Sequence, residues 1–156
     1  MLLKNEKLKF RHAATEDCSF IWEWRNHVLI RRFSTLPDFI NFKEHKEWFI
    51  LEKNYLFFLI GEINNKPVSV LHNKIDGDNI HVSIYLRPSL IGRKTGIATL
   101  TLKYFYEEIK TKYPSAIKLI ATIHRNNIAS RKLFIKAGYA NSEFITMEKI
   151  IDVNIS

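Results

Sequence analysis

The sequence lacks the cysteines that a disulfide framework would need. Cys18 is the only cysteine among 156 residues, so no disulfide forms within the chain and a reducing, cytoplasmic compartment is expected. Cys18 falls in a predicted helix and is expected to pack there. The six histidines show no metal-ligand spacing with this cysteine, and we expect no metal.

Long hydrophobic runs are also missing. No stretch approaches the ~20 apolar residues that a membrane-spanning helix requires, and the charged start "MLLKNEKLKF" does not resemble a signal peptide. No membrane contact is therefore expected. The apolar content of 46% still supplies a packed interior, and we expect a single domain over residues 1–156. The sequence leaves both a monomer and a homodimer open.

Acidic residues are scarce, with 16 Asp and Glu against 24 Lys and Arg, which gives a net charge of +8. This excess favours anionic partners, although a solvated lysine-rich surface also explains it. A nucleic-acid-binding module is the weaker alternative because no helix-turn-helix, zinc or RNP signature is present.

Periodicity and turn residues predict the order β-α-α-β-β-β-α-β-α-β. The predicted helices are Glu16–Asn26 capped by Thr15, a helix from Asn41 with Glu44 completing a capping box, Gly96–Lys112 closed by Pro114, and a helix from Asn126 or Asn127 to Gly138. The predicted strands are Leu8–Ala13, Tyr55–Ile63, Pro67–Ile75, Ile80–Leu86, Ile117–Ile123 and one near Phe144–Ile151. We expect an α/β fold of mixed α+β character, with helices on both faces of a mixed sheet of about six to seven strands.

The strand Ile80–Leu86 has one polar face. His81, Ser83 and Tyr85 alternate with apolar residues and therefore point to the same side. A covered central strand is normally apolar on both faces. The three side chains indicate a cleft, and an ordinary half-exposed strand is the alternative.

The segment "IGRKTGIATLTL" places a basic glycine turn at the start of a helix. Its pattern is R-x-x-G-x-A, from Arg93 to Ala98, and it matches neither a Walker A loop nor a dinucleotide fingerprint. The first amides of a helix lack internal partners and attract anions. Because Gly96 and Ala98 keep bulk away, a pyrophosphate can reach the backbone. A plain turn is the alternative.

A second motif follows in "NNIASRKLFIKAGY". Its residues are Asn127, Ser130, Phe134, Lys136, Gly138 and Tyr139. With the glycine turn and the meander before it, this motif resembles the GCN5-related N-acetyltransferase (GNAT) superfamily from about Leu8 to Ile150. The resemblance implies acetyl-CoA as cosubstrate, a splayed central pair of strands and transfer of an acetyl group to an amine.

The resemblance also implies where acetyl-CoA binds. The implied contacts are Tyr85, Leu86, Arg87, Arg93, Lys94, Thr95, Gly96, Ile97, Ala98, Asn127 and Ser130. The turn would hold the pyrophosphate, and the pantetheine arm would lie between Ile80–Leu86 and Ile117–Ile123. Helix capping is the alternative role of Asn127.

Catalysis needs a base for the amine and an acid for the leaving thiolate. His81 stands where the family often has a glutamate, so it is the expected base. Phe134 occupies the position of a tyrosine that often serves as the acid, and it cannot donate a proton. Ser83, Tyr85, His124 and water are candidates for that role, and a non-catalytic CoA-binding protein is the alternative.

The N-terminal third is expected to bind the acceptor. "WRN" at Trp24, Arg25 and Asn26, followed by His45 and Trp48, resembles a PseH-like subset that acetylates nucleotide-linked amino sugars. Arginine can grip phosphates and aromatic rings can stack on a base or a sugar. The alternatives are core packing of these residues and a RimJ/RimL-like enzyme of protein N-termini.

Overall fold

The computed structural model describes residues 6–52, 57–141 and 146–152. The described helices are α1 (Cys18–Asn26), α2 (Val28–Arg31), α3 (Phe42–Glu52), α4 (Ile97–Lys112) and α5 (Ile128–Lys136). The described strands are β1 (Leu8–His12), β2 (Phe58–Ile63), β3 (Lys66–Asp76), β4 (Asn79–Leu86), β5 (Lys118–Thr122), β6 (Ala140–Asn141) and β7 (Thr146–Ile150). None of these helices is long and apolar enough to cross a membrane.

The described strands form one mixed sheet in the order β1-β2-β3-β4-β5-β7-β6. The strands β1 to β4 form an antiparallel meander, while β4 and β5 run parallel and meet near the middle of the sheet. The β2–β3 hairpin turns at Asn64 and Asn65, whose φ angles of 51° and 59° suit a tight two-residue connection. The expected mixed sheet is confirmed.

Two buried clusters cover the two faces of the sheet. One holds side chains of α4 and α5, including Phe105 and Phe134, packed on Leu71, Ile80 and Leu119. The other holds side chains of α1 and α3, including Ile21 and Phe49, packed on Phe58, Ile60 and Val70. The prediction of helices on both faces is therefore confirmed.

The helix starts agree only in part with the predictions. Asn41 accepts a hydrogen bond from the Glu44 amide at 2.9 Å, as the capping pattern predicts. The prediction that Thr15 caps α1 is wrong, because Thr15 lies inside a 3₁₀ turn and α1 begins at Cys18. Asp17 is responsible for this difference: its carboxylate accepts the Ala14 amide at 2.7 Å and closes the extra turn.

The structure adds two short elements that the sequence pattern did not predict, α2 and β6. The strand expected from Tyr55 begins at Phe58, and the last strand begins at Thr146. Residues 53–56 and 142–145, which held the predicted starts of these two strands, lie outside the described residues. Strands this short give too few residues for a clear period, which explains the omission of β6.

Candidate active site

A gap opens between β4 and β5 in the middle of the sheet. The two strands pair only from Asn79–Lys118 to His81–Ile120. Beyond that point β4 continues to Leu86 and β5 continues to Thr122, but the two strands no longer pair with each other. The expected splay of the central strands is confirmed, and it leaves backbone groups of β4 without a neighbouring strand.

The backbone of β4 directs alternate residues into this gap. The Arg87 amide donates to the Val68 carbonyl at 3.0 Å, so it points toward β3. Successive residues of an antiparallel strand turn their backbone N–H and C=O groups to opposite sides. The backbone groups of Tyr85 therefore also point to β3, whereas those of Leu86 and Ile84 point toward β5. Of the three residues expected to hold the pantetheine arm, Leu86 has its backbone on the side of the gap.

The glycine turn follows β4 after a short 3₁₀ helix at Pro88–Leu90, and it starts α4. Gly96 is the N-cap residue, with φ of 78°, a left-handed conformation that favours glycine. A Cβ built there meets no atom within 4 Å, so the space above it is open. Ile97 is buried and anchors the helix, while Arg93 and Lys94 are exposed beside the turn. The arrangement exposes the first amides of α4 to an anion.

Hydrogen bonds within the turn shape this helix start. The Ile97 amide donates to Thr95 Oγ1 at 3.3 Å, and the Thr95 amide donates to the Arg93 carbonyl at 3.0 Å. The Thr101 hydroxyl donates to the Ile97 carbonyl at 2.8 Å and lies 2.9 Å from Ser69 Oγ on β3. This buried contact fixes the start of α4 relative to the sheet and so relative to the gap.

The second motif is placed by α5. Asn127 is its N-cap residue, and its side-chain oxygen accepts the Ser130 amide at 3.1 Å. This hydrogen bond caps the helix and uses the side-chain oxygen of Asn127. The side-chain nitrogen of Asn127 takes no part in it. Phe134 is buried in the core with its ring 4.9 Å from the Tyr139 ring. Phe134 therefore packs as an ordinary core residue.

The polar face of β4 extends from the surface into the interior. His81 Nε2 lies 3.7 Å from the Asp76 carboxylate at the exposed end of the strand, and Ser83 is exposed. The Tyr85 hydroxyl is buried and has no hydrogen-bond partner among the described residues. Burial raises the pKa of Tyr85, so it keeps its proton at neutral pH.

Residues from α1, α3 and β3 meet next to Tyr85. The Arg25 guanidinium lies over the Trp48 indole at 4.7 Å from the ring centroid. The His72 ring lies 5.3 Å from Trp48 and 6.4 Å from Tyr85. Within the described residues Arg25 forms no ion pair. We call Arg25, Trp48, His72 and Tyr85 the acceptor-side cluster.

The charge of Arg25 lowers the pKa values of the titratable side chains in and beside the acceptor-side cluster. Burial and the Arg25 charge lower the pKa of His72 to about 3 and that of the nearby His45 to about 4. Both imidazoles are thus neutral at neutral pH. The cluster combines one cation, which has no counter-ion among the residues that the structure describes, with neutral hydrogen-bonding groups. This chemistry suits an anionic or hydroxyl-bearing ligand.

Three residues expected to contact the acceptor are engaged elsewhere. The Asn26 side chain donates to the Ile40 carbonyl and accepts the Ile40 amide, both at 2.9 Å. His45 is buried, and its Nε2 donates to the Cys18 carbonyl at 3.1 Å. Trp24 is buried in the core between α1 and the sheet. Arg25 and Trp48 are the members of this predicted set that meet beside β4.

His72 is the residue of this site that the sequence pattern missed. It lies opposite Ser83 in the β3–β4 pairing, and Val70 lies opposite Tyr85. Reading the meander register across the "DGDN" turn would have placed His72 on the same face as His81, Ser83 and Tyr85. Strand alternation within β4 alone does not reveal it.

A glycine-led helix start beside a gap in a mixed sheet is suited to hold a ligand with an anionic group. The sequence profile of the Acetyltransferase (GNAT) domain matches residues 7–140. The chain therefore belongs to the GNAT family of acetyltransferases, and the expectation of an acetyl-CoA-dependent acetyltransferase is confirmed.

Solved structures share the fold at low sequence identity. The Salmonella typhimurium protein yncA, solved with its cofactor acetyl-CoA, has a TM-score of 0.75 and 19% identity, covering 96% of each chain. An N-acetyltransferase from Staphylococcus aureus Mu50 has a TM-score of 0.75 and 22% identity, covering 94% of this chain and 99% of that one. The aminoglycoside acetyltransferase AAC(6')-Ib, in complex with coenzyme A and kanamycin, has a TM-score of 0.74 and 15% identity over 92% and 95% of the two chains. No curated protein matches the sequence.

Proposed function

We propose that this acetyltransferase acetylates the primary amine of a nucleotide-linked amino sugar. The observation that carries the proposal is Arg25, which lies on the Trp48 ring beside the polar face of β4 and forms no ion pair within the described residues. An unpaired guanidinium at a partly enclosed site favours a phosphate-bearing acceptor. The same charge disfavours aminoglycosides and polyamines, which are themselves cations.

Acetyl-CoA supplies the activated acetyl thioester, and the residues of the gap fit its anionic and amide parts. The first amides of α4 and the cations Arg93 and Lys94 would hold the pyrophosphate. The backbone of Leu86, which faces the open side of β4, would bind the arm, and the amide nitrogen of Asn127 would add a donor. Ser130 would support the turn that presents Asn127.

The polar face of β4 would serve the proton transfers. We assign His81 as the base, directly or through water, because it is half-exposed at the point where β4 and β5 separate. Such a base contributes ~10²–10⁴-fold to the rate. Tyr85 holds its proton, and its hydroxyl has no hydrogen-bond partner in the described part of the chain, so we assign it to hydrogen bonding at the acceptor or the leaving thiolate. Ser83 would support the water chain.

Release of free CoA thiol with a panel of amines tests the acceptor assignment. The panel would contain a UDP-linked 4-amino sugar, the same amino sugar without the nucleotide, kanamycin and a peptide with a free N-terminus. We expect the nucleotide-linked sugar to give the highest kcat/KM. A preference for the peptide would favour a RimJ/RimL-like enzyme instead, and a preference for kanamycin would rule out an anionic acceptor.

The cellular location is part of the proposal. Cys18 is buried and forms no disulfide within the described residues, which suits a reducing compartment. We accordingly propose that the enzyme acts in the cytoplasm, where it meets acetyl-CoA.

A further inference from the structure

The helix α2 and the residues after it connect the α1–α3 cluster with the residues that follow β5. Ile30 packs against the α1–α3 cluster, on the same side as Tyr85 of β4. Phe33, three residues later, contacts His124 with ring centroids 5.6 Å apart. His124 follows β5, so this short segment links the cluster on which Tyr85 of β4 packs to the end of β5.

The position of His124 follows from the pattern of β5. Leu119, Ala121 and Ile123 pack into the cluster under α4 and α5. Because side chains alternate along a strand, Thr122 points to the opposite face, the face of Tyr85, and His124 follows two residues after the strand ends. The Asn126 amide donates to His124 Nδ1 at 3.1 Å, which holds the ring in place.

The segment that carries Phe33 is tied down at several points. Ile40 receives the Trp22 Nε1–H at 2.7 Å in addition to its two hydrogen bonds with Asn26. Arg31 Nε donates to the Pro37 carbonyl at 2.9 Å. The Arg32 guanidinium lies 4.6 Å from the Phe33 ring centroid. Phe33 is therefore held against His124, beside the end of β5, by a segment with fixed ends.

We propose that Phe33, packed against His124, roofs the gap on the acceptor side and is a specificity-determining residue of acetyl transfer. It limits the amines that reach the thioester and keeps water away from it. The inference rests on the proposed course of acetyl-CoA through the gap, and it is independent of whether the acceptor is an amino sugar. Excluding water is a common task of such coverings in transferases.

Hydrolysis of acetyl-CoA without an amine gives a direct readout. A water molecule that enters forms the new C–O bond as the C–S bond breaks, which yields acetate, a proton and the CoA thiol. Phe33→Ala should raise this acceptor-free thiol release by at least about tenfold, while calorimetry shows an unchanged Kd for acetyl-CoA. An unchanged rate of hydrolysis in a variant that binds acetyl-CoA normally would overturn the proposal.

Phe39→Ala is the matched control. Phe39 belongs to the same segment and is 59% exposed, but its ring contact is with Trp22, 6.1 Å away, and not with the residues after β5. Its removal should leave hydrolysis at the wild-type rate. A rise equal to that of Phe33→Ala would show a general loosening of the segment and would also overturn the proposal.

A double-mutant cycle tests the contact itself. His124→Ala should increase hydrolysis as Phe33→Ala does, the double variant should add little to either, and His124→Phe should keep the wild-type rate because a ring remains. Fully additive effects would contradict a shared roof.

If Gly96→Glu binds acetyl-CoA normally, the proposed course of the cofactor fails. If Gly96→Glu loses binding while Phe33→Ala hydrolyses no faster, the roof alone fails.

Discussion

Arg25 on α1 and Trp48 on α3 form a cation–π pair whose guanidinium carbon lies 4.7 Å from the indole ring centroid. The pair joins two helices that both pack on the acceptor side of the sheet. The positive charge of Arg25 lowers the pKa values of His72 and Tyr85. For His72 burial acts in the same direction, whereas for Tyr85 burial raises the pKa and is the larger effect. The two residues thus set the charge of the acceptor-side cluster.

Arg25→Gln should raise the acceptor KM by roughly tenfold or more, since a tenfold change corresponds to about 1.4 kcal/mol of binding. The KM for acetyl-CoA should stay unchanged because Arg25 lies on the acceptor side. The pKa values of His45 and His72 should both rise, since the Arg25 charge lowers them. Steady-state kinetics and histidine NMR titration measure the two effects. An increase in both KM values would contradict a specific acceptor role.

Arg25→Lys is the companion variant. Lysine keeps the charge but loses the planar stack on Trp48 and the bidentate geometry. The histidine pKa values should therefore stay close to wild type while the acceptor KM rises. Equal kinetics for Arg25→Lys and wild type would show that charge alone is needed.

The stability of the protein should decrease on acidification because His45 is buried and neutral. Its pKa is about 4 in the folded protein against 6.5 for the ordinary group. Between pH 6.5 and pH 4 the unfolded chain therefore binds a proton that the folded chain does not. The free energy of unfolding should fall by at most roughly 3–4 kcal/mol through this site, at about 1.4 kcal/mol per pKa unit.

His45→Phe provides the test of that pH dependence. Urea unfolding at pH 7 and at pH 4.5 should show a smaller loss of stability for the variant than for wild type. His72, with a pKa of about 3, should still cause part of the loss. The same difference between the two pH values in both proteins would mean that His45 does not titrate as its burial predicts.

Local patterns predicted much of the fold and the cofactor side of the candidate site. The alternation in β4, the glycine turn at Gly96 and the cap at Asn127 each involve residues close in sequence. Capping and turn geometry depend on a few neighbouring residues, so the sequence contains them directly. The resemblance to the GNAT superfamily, rather than these local patterns, implied the splayed central strand pair, and β4 and β5 do pair and then separate.

The acceptor side was harder to predict because it depends on how helices pack on the sheet. His45 and Trp48 lie one turn apart on α3, yet His45 is buried while Trp48 faces Arg25. Asn26 directly follows Arg25 and turns instead to Ile40. A helical period gives the face of each residue but not the element that covers it. His72 enters the site only through its strand partner.

Gly61→Ala should destabilise the sheet under α4. A Cβ at Gly61 would overlap the Ser69 hydroxyl, which is held by its contact with Thr101 at 2.9 Å. Overpacking of this kind costs about 1–3 kcal/mol. Chemical denaturation would measure the loss.

Gly77→Ala is the control, since its Cβ meets no atom within 4 Å and only its φ of 59° opposes the change. That backbone conformation should cost roughly 1–2 kcal/mol of stability in the control. A smaller loss for Gly61→Ala than for the control would contradict the overlap.

Gly96→Glu should abolish acetyl-CoA binding while the fold survives. The side chain would project into the open space above the first amides of α4, where a carboxylate would occupy the anion site and repel the pyrophosphate. Gly96→Ala controls for the backbone, because it has the same unfavourable φ of 78°, worth roughly 1–2 kcal/mol, without the charge.

For wild type, acetyl-CoA at about 100 times its Kd should stabilise the protein by ~2.7 kcal/mol. Thermal unfolding should show this shift for wild type, a reduced shift for Gly96→Ala and none for Gly96→Glu. A full shift in a folded Gly96→Glu variant would remove the pyrophosphate from the start of α4, and with it the reason for placing the thioester between β4 and β5.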